Sequence, residues 1–184
     1  MYAHRRLYVR NWNGQSPAEQ YEVKLTKGGK PVEGIKSRLV AYLEEEVMYW
    51  RKANHIHAWF VDNAQQFEDD CGSYEVEWEK LQELVDACKK VIKSSKLVPG
   101  LVTNGIAYDE NHPEGIPQRE TGKVIENTSM AKELLPTRSG FFFGSEDYDQ
   151  DYLDDTIQTH DWAVRMLNDH ANGVPGEILY SSSW

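Results

Sequence analysis

The sequence predicts an α+β fold with three or four main helices, an N-terminal β-hairpin and a small central strand excursion. Segments in which apolar residues alternate with polar ones come first, and segments with apolar residues at helical spacing follow them. With 184 residues and 40% apolar content, the chain can bury a sizeable core without disulfides or metals. We therefore expect residues 1–184 to form a single domain.

The strands are predicted from alternation and from turn residues. Residues 5–12 and 20–25 place apolar side chains at every second position, which is typical of a half-buried hairpin. Residues 27–31 are a glycine-rich turn without the Lys-Ser/Thr pair of a phosphate-binding loop.

Residues 94–127 are rich in Gly and Pro and are predicted to be a mobile excursion with short strands at 106–108 and 123–126. The C-terminal tail, residues 171–184, contains a predicted edge strand at 177–180.

Three long helices and one short helix are predicted from apolar periodicity. The first covers residues 37–64, because at ~100° per residue its apolar side chains fall within roughly 60° of one another. Those side chains are Leu39, Leu43, Val47, Trp50 and Val61. The others cover 77–93, 129–134 and, with Ser145 as N-cap, 145–167. The last is predicted to bury Leu153, Ile157, His160, Val164 and Leu167.

Charge and cysteine content exclude several classes of protein. The formal charge of −10 disfavours binding to a nucleic-acid polymer, which needs a basic footprint. Cys71 and Cys88 form no CxxC pattern and are expected to be reduced thiols. The N-terminus lacks the apolar run of a signal peptide, and no segment approaches ~18 consecutive apolar residues. We expect a cytoplasmic protein with no membrane partner.

The first candidate site is the second half of the first predicted helix. Asn54 and His57 fall inside its apolar arc and Glu46 falls beside it, although burying an unpaired polar group costs several kcal/mol. Either these groups form a buried hydrogen-bonded network, or they line a site. In a site, Trp50 would offer a flat surface and Arg51 a positive charge, the chemistry that holds an anion attached to a planar base.

A metal site or cofactor is not predicted. His55 and His57 point ~200° apart on a helix, whereas zinc ligands on one helix are three or four residues apart. The sequence contains no dinucleotide, Walker, HExxH or GxSxG fingerprint.

The second candidate site surrounds the aromatic run Phe141–Phe143, in which at least two of the three rings are predicted to fill the core. Arg138 and Ser139 precede the run, and Ser145 is predicted to start a helix with free backbone N–H groups, close to Tyr148. The acidic run 146–155 that follows has three open interpretations. It is a solvated helix face, a docking surface for a basic partner, or a source of carboxylates for acid–base chemistry.

Several motifs resemble a family of small bacteriophage and prophage proteins. They are the run Tyr49–Asn54 with Ile56-His57 and Trp59–Val61, the turn Asp70–Gly72, the blocks Glu133–Thr137 and Ser139–Ser145, and the closing Ser182–Trp184. Members of that family often carry Gln where this chain has Arg138. The resemblance implies a phage accessory protein in the host cytoplasm. By analogy, it favours a protein that counteracts host defence by sequestering a nucleotide signal.

We therefore expect a non-enzymatic protein that binds a small anionic, nucleotide-type ligand, with a homo-oligomer as one arrangement. The expected ligand-binding residues are Trp50, Arg51, Asn54, His57, Arg138, Ser139, Ser145 and Tyr148. Two alternatives stay open. One is a hydrolase with His57 as base and Glu46 or Asp149 as its carboxylate. The other is an acidic inhibitor of a host defence protein that acts through Asp151, Asp154 and Asp155.

Overall fold

The computed structural model describes residues 1–139 and 144–183 and shows an α+β fold in which an antiparallel sheet is covered by helices. The strands are β1 (Tyr2–Tyr8), β2 (Thr26–Lys27), β3 (Lys30–Pro31), β4 (Tyr42–Tyr49), β5 (Ser73–Val76), β6 (Leu97–Asp109), β7 (His112–Ile125) and β8 (Glu177–Ser181). The α-helices are α1 (Asn54–Asn63), α2 (Trp78–Ser94), α3 (Ser129–Leu134) and α4 (Gln150–Ala171).

The main sheet has four strands in the order β4-β1-β8-β5, all antiparallel to their neighbours. Ala3, Ile178 and Tyr180 on one face of this sheet join the core that α1, α2 and α4 complete. The core therefore lies between the sheet and the helices. Strands β6 and β7 form a separate long hairpin, and β2 with β3 forms a hairpin of two residues a side.

The prediction of α2 is confirmed to within a residue at each end, and α3 lies where it was predicted. In α2 the spacing of the apolar residues buries one face completely, with Leu81, Leu84 and Cys88 at 0% exposure. The turn at 27–31 is also confirmed, as the bend between β2 and β3.

The long helix predicted over residues 37–64 is wrong in its first half. Residues 42–49 form β4, which pairs with β1 from Tyr42↔Tyr8 to Tyr49↔Tyr2, and only residues 54–63 are helical. Glu, Leu and Met favour helices weakly, but strand pairing with β1 outweighs a preference of this size. The predicted pairing of residues 5–12 with 20–25 is wrong for the same reason, since β4 occupies that place.

Three further predictions need correction. The excursion over 94–127 is a continuous hairpin of 13- and 14-residue strands rather than two short strands and a mobile loop. Strand β8 exists but lies at the centre of the sheet, between β1 and β5, not at an edge. Helix α4 begins after Asp149, whose carboxylate accepts the Tyr152 N–H at 3.0 Å, so Ser145 is not its N-cap.

The inner face of α4 is also offset from the predicted one. Ile157 is 36% exposed, while Thr156, Thr159, Trp162 and Met166 are buried. This buried face is hard to predict from the sequence because it includes two polar residues, Thr156 and Thr159. Each threonine hydroxyl donates a hydrogen bond to the backbone carbonyl four residues earlier. The predicted core role of Phe141–Phe143 lies outside the described residues.

Candidate functional site

A cavity of about 550 Å³ opens between the start of α1, the start of α4 and one face of the β6–β7 hairpin. Its volume lies within the range of roughly 300–1,000 Å³ that is usual for small-molecule sites. The walls come from segments far apart in the chain. The lining residues are Arg51, Lys52, Asn54, His55, Thr103, Gly105, Ile106, Tyr108, Thr137, Gly144, Ser145, Asp147, Asp149, Asp151, Tyr152 and Asp155.

One corner of the cavity is positively charged. Arg51 and Lys52 line it, and both are exposed. Helix α1 begins at the same corner, and its N-cap, Ala53, offers no side-chain acceptor to the first turn, which contains no acidic residue. The positive end of the helix dipole is therefore not compensated by a local carboxylate, which favours an anion there.

The backbone of this corner is constrained. Lys52 has φ 65°, in the left-handed region that a residue with a Cβ rarely adopts. Gly144 has φ +78°, and a Cβ at Gly144 would lie 3.1 Å from Lys52 Cβ. The glycine thus lets the segment before α4 approach the cationic corner closely.

The wall formed by the start of α4 is acidic, because Asp149, Asp151 and Asp155 line it, and Asp147 adds a fourth lining carboxylate from the segment before α4. Burial first, and then the neighbouring carboxylates with Asp151 foremost, raise the pKa of Asp155 to about 7. Burial also raises the pKa of Asp149, partly offset by the hydrogen bond from the Tyr152 N–H. The wall therefore holds two carboxyl groups, those of Asp149 and Asp155, whose pKa values burial raises.

His55 contributes a neutral imidazole beneath the cavity. Burial lowers its pKa to about 3, so it stays uncharged near neutral pH. The Thr156 hydroxyl donates its only proton to the Tyr152 carbonyl at 2.8 Å, so it must accept from His55 Nε2, 3.1 Å away. This fixes the Nε2–H tautomer and leaves Nδ1 as the basic nitrogen.

Asn54 connects the two sides of the cavity. Its amide nitrogen donates to the Ser145 carbonyl at 2.8 Å, and its amide oxygen accepts the Arg138 N–H at 3.2 Å. Asn54 is 2% exposed, so these bonds are shielded from water. The start of α1 is therefore fixed to the segment that precedes α4.

The hairpin closes the third side. Asp147 accepts the Thr103 N–H at 2.7 Å and lies 3.5 Å from Arg119 Nη1, which joins β6 and β7 to the segment before α4. Tyr108 lines the cavity and is 59% exposed. It is an aromatic surface that a planar ligand could contact.

The structure brings three of the predicted ligand-binding residues, Arg51, Asn54 and Ser145, to this cavity. Trp50 is 1% exposed, and its indole N–H donates to Thr159 Oγ1 at 2.8 Å. The ring is covered by the core, so the flat surface predicted for a ligand at Trp50 is not accessible.

The remaining predicted residues lie around the cavity rather than in its lining. Arg138 pairs with Asp62, and Ser139 is exposed. The Tyr148 hydroxyl accepts the Thr137 N–H at 3.2 Å. Glu46, once expected beside the first helix, is an exposed residue of β4.

His57 belongs to a separate buried network. Its Nδ1 lies 2.7 Å from the Tyr180 hydroxyl, and its Nε2 lies 3.1 Å from Asp69 Oδ2. The predicted divergence of His55 and His57 is confirmed, since His55 contacts α4 and His57 contacts β8. Of the two interpretations offered for this segment, the buried hydrogen-bonded network therefore describes His57. Its ring nitrogens contact Tyr180 and Asp69, so the structure does not support a general base at His57 next to Glu46 or Asp149.

Sequence reasoning missed Lys52, Tyr108 and Asp155. Lys52 falls within the first predicted helix, whereas in the structure it lies in a bend between β4 and α1 and lines the cavity there. Tyr108 belongs to a hairpin that was expected to be a loop. Asp155 stands in a run of acids that alone resembles a solvated helix face, and only the fold shows that it is partly buried while Asp151 and Asp154 are exposed.

Among the side chains that the structure describes, no group of three or more from His, Cys, Asp and Glu is arranged to hold a metal ion. No helix within residues 1–139 and 144–183 is long and apolar enough to cross a membrane. Comparison of the chain with protein families, curated proteins and solved structures finds no match in any of the three.

Proposed function

We propose that this protein binds a small nucleotide-type anion in the cavity and sequesters it without catalysis. The observation that carries this proposal is that one cavity holds charges of both signs, with Arg51 and Lys52 just before α1 and Asp149, Asp151 and Asp155 at the start of α4, beside a fourth carboxylate at Asp147. A ligand with a negative end and an end rich in hydrogen-bond donors matches this arrangement, and nucleotides have both.

The phosphate belongs at the cationic corner. A guanidinium can donate two parallel hydrogen bonds to a phosphate, and an ammonium adds a compact charge. The uncapped start of α1 adds the field of the helix dipole.

The base and sugar belong at the acidic wall. Carboxylates only accept hydrogen bonds, so Asp149, Asp151 and Asp155 would bind the N–H groups of a base or the hydroxyls of a ribose. Protonation of Asp155 near neutral pH reduces its repulsion of the phosphate. Tyr108 offers an exposed ring against which the base can stack.

The resemblance to small phage proteins gives this chemistry a biological setting. A phage protein that binds a nucleotide signal tightly would withdraw it from a host defence protein. Tight binding is sufficient for this purpose, and no turnover is required.

Calorimetry tests the proposal with cyclic mononucleotides, cyclic dinucleotides and ADP-ribose-type compounds. We expect one class to bind, and Arg51→Ala and Lys52→Ala each to weaken binding about tenfold or more, because a charged hydrogen bond contributes roughly 1.5–3 kcal/mol. The matched control replaces Lys89 and Lys90, an exposed pair on α2 outside the cavity lining, and should keep full affinity. Absence of binding across the panel, or equal affinity in all variants, would reject the proposal.

A hydrolase is the second candidate, and the partly buried carboxyl group of Asp155 beside other lining aspartates favours it. Asp155, with a pKa of about 7, is suited to donate a proton to a leaving group while a second aspartate of the wall activates water. Chromatography of a bound nucleotide after incubation distinguishes the two functions. Intact ligand supports sequestration, whereas product formed by the wild type and lost in Asp155→Asn with binding retained supports the hydrolase.

A further inference from the structure

Residues 10–41, which we call the arm, leave the sheet after β1 and return to it at β4. None of the arm side chains that the structure describes is buried. The arm nevertheless carries large apolar groups in open positions, among them Trp12 at 68%, Leu25 at 51% and Leu39 at 61% exposure. Exposed apolar side chains of this size are available to pack against another protein.

A second exposed surface lies on the sheet face opposite the core. We call it the tyrosine ladder. It consists of Tyr2, His4, Arg6 and Tyr8 on β1 with Tyr42, Glu44 and Tyr49 on β4, whose rings and charges contact one another in sequence. Arg6 lies 4.5 Å from the centre of the Tyr42 ring, and Tyr42 is itself 46% exposed.

The contacts within the ladder hold its side chains in place before any partner arrives. Two residues of the ladder carry a salt bridge, with Arg6 Nη2 3.0 Å from Glu44 Oε2. Tyr8 and Tyr49 remain 56% and 48% exposed. Rigid, half-exposed tyrosines give a large contact area at a small loss of side-chain entropy, which suits an interface.

Charge identifies the partner. The arm has six basic and three acidic residues and therefore a formal charge of +3. Since the whole chain has a formal charge of −10, the residues outside the arm together carry −13. The chain therefore holds both halves of a complementary pair, a basic apolar arm and an acidic body with an open aromatic face. A two-fold axis uses both halves twice, because each arm can cover the ladder of the other copy.

We propose that this protein forms a two-fold dimer in which the arm of each copy docks on the tyrosine ladder of the other. The dimer is independent of the cavity and its ligand. The arm brings apolar side chains to the tyrosines, and its lysines approach Glu46 of β4, since Glu44 and Glu45 already pair with Arg6 and Arg5. Its stability should decrease with salt, since exposed charges are screened beyond ~8–10 Å at physiological ionic strength.

Sedimentation velocity with the intact chain tests the dimer. We expect a mass twice that of the 21.2 kDa chain, and a shift to the monomer mass when Trp12, Leu25 and Leu39 are all replaced by Ser. These side chains are exposed, so circular dichroism should show an unchanged fold. The matched control, Phe67→Ser with Leu101→Ser, removes side chains that are 76% and 63% exposed outside the arm, and should remain dimeric.

Cross-linking with a zero-length carbodiimide on mixed light and heavy isotope chains tests the docking mode. Cross-links between Lys27 or Lys30 and Glu46 should appear in mixed-isotope form, because they join different copies. A wild-type monomer at every concentration would overturn the proposal. So would a dimer that survives the triple arm substitution, or cross-links confined to single chains.

Discussion

The side-chain amide of Asn54 and the backbone carbonyl of Ser145, 91 residues apart in the chain, are joined by a 2.8 Å hydrogen bond across the cavity. The cavity exists in its present shape because this bond fixes α1 to the segment before α4. Asn54, which the sequence shows as an unexpected polar residue on an apolar face, thus connects α1 to the segment before α4.

Asn54→Ala should destabilise the protein by about 1–3 kcal/mol, because it leaves the Ser145 carbonyl and the Arg138 N–H without this partner in a shielded place. Chemical denaturation measures the loss. The control is Asn63→Ala on the same helix. The Asn63 amide donates to the nearby Trp59 carbonyl at 2.9 Å in a part-buried place, so its loss should cost less. Equal losses in the two variants would contradict the role given to Asn54.

Trp50→Phe should lower the free energy of unfolding by roughly 1–3 kcal/mol, since Thr159 Oγ1 loses the indole N–H that it accepts at 2.8 Å. The affinity for a cavity ligand should not change, because the ring is buried in the core. Denaturation and calorimetry on the same variant separate the two effects. A large loss of affinity with unchanged stability would restore the stacking role predicted for Trp50.

Asp155→Asn should stabilise the unliganded protein, and the gain should grow as pH rises. In the folded state the pKa is about 7 and in the unfolded chain it is near 3.8, so the folded state binds the proton more tightly. Wild-type stability therefore decreases between pH 4 and pH 7 from this group, and the variant lacks that decrease. Thermal unfolding of both proteins across this range measures the difference. Parallel pH profiles would show that Asp155 has an ordinary pKa.

Gly144→Ala should destabilise the protein by about 1–3 kcal/mol and weaken ligand binding, because φ is +78° and the new Cβ meets Lys52 Cβ at 3.1 Å. Gly14→Ala is the matched control. Its φ of +94° imposes similar strain, but nothing lies within 4 Å of the added atom. A larger loss of stability in Gly144→Ala than in Gly14→Ala would measure the cost of the contact with Lys52. Equal losses in the two variants would show that this contact has no effect on stability.

Cys71 should react with a thiol reagent in the native protein, whereas Cys88 should react only after unfolding. Cys71 is exposed, and Cys88 is buried with its pKa raised to about 12. Absorbance titration should count one thiol without denaturant and two with it. The Cys71→Ser variant should show none in the native state, and rapid reaction of Cys88 there would contradict its burial.

The helices that could be predicted from the sequence are those whose apolar spacing is unambiguous. Helix α2 has one continuous apolar face, so its limits were predictable from periodicity alone. Residues 42–49 have no such guide. They form an edge strand that is mostly exposed, and the register of its pairing with β1 shifts between Ala3 and His4. For this reason their sequence does not alternate between apolar and polar residues as a half-buried strand does. Their pairing with β1 depends on a contact about 40 residues away, which local patterns do not contain.

The candidate site was predictable only in part for a related reason. Arg51 and Asn54 could be selected because polar groups within an apolar segment need partners. Asp155 and Tyr108 could not, because each resembles an ordinary surface residue among its neighbours. Their shared cavity is created by α4 and the hairpin coming together, which is a property of the tertiary fold.

The central position of β8 has a consequence for synthesis on the ribosome. Strand β1 is translated first, yet one of its two neighbours in the sheet is translated last. Until residues 177–181 emerge, β1 and β5 both present open backbone edges, which can pair with other chains. The nascent chain should therefore depend on chaperones until its final strand arrives, and ribosome-bound chains truncated before residue 177 should be more prone to aggregation than the released protein.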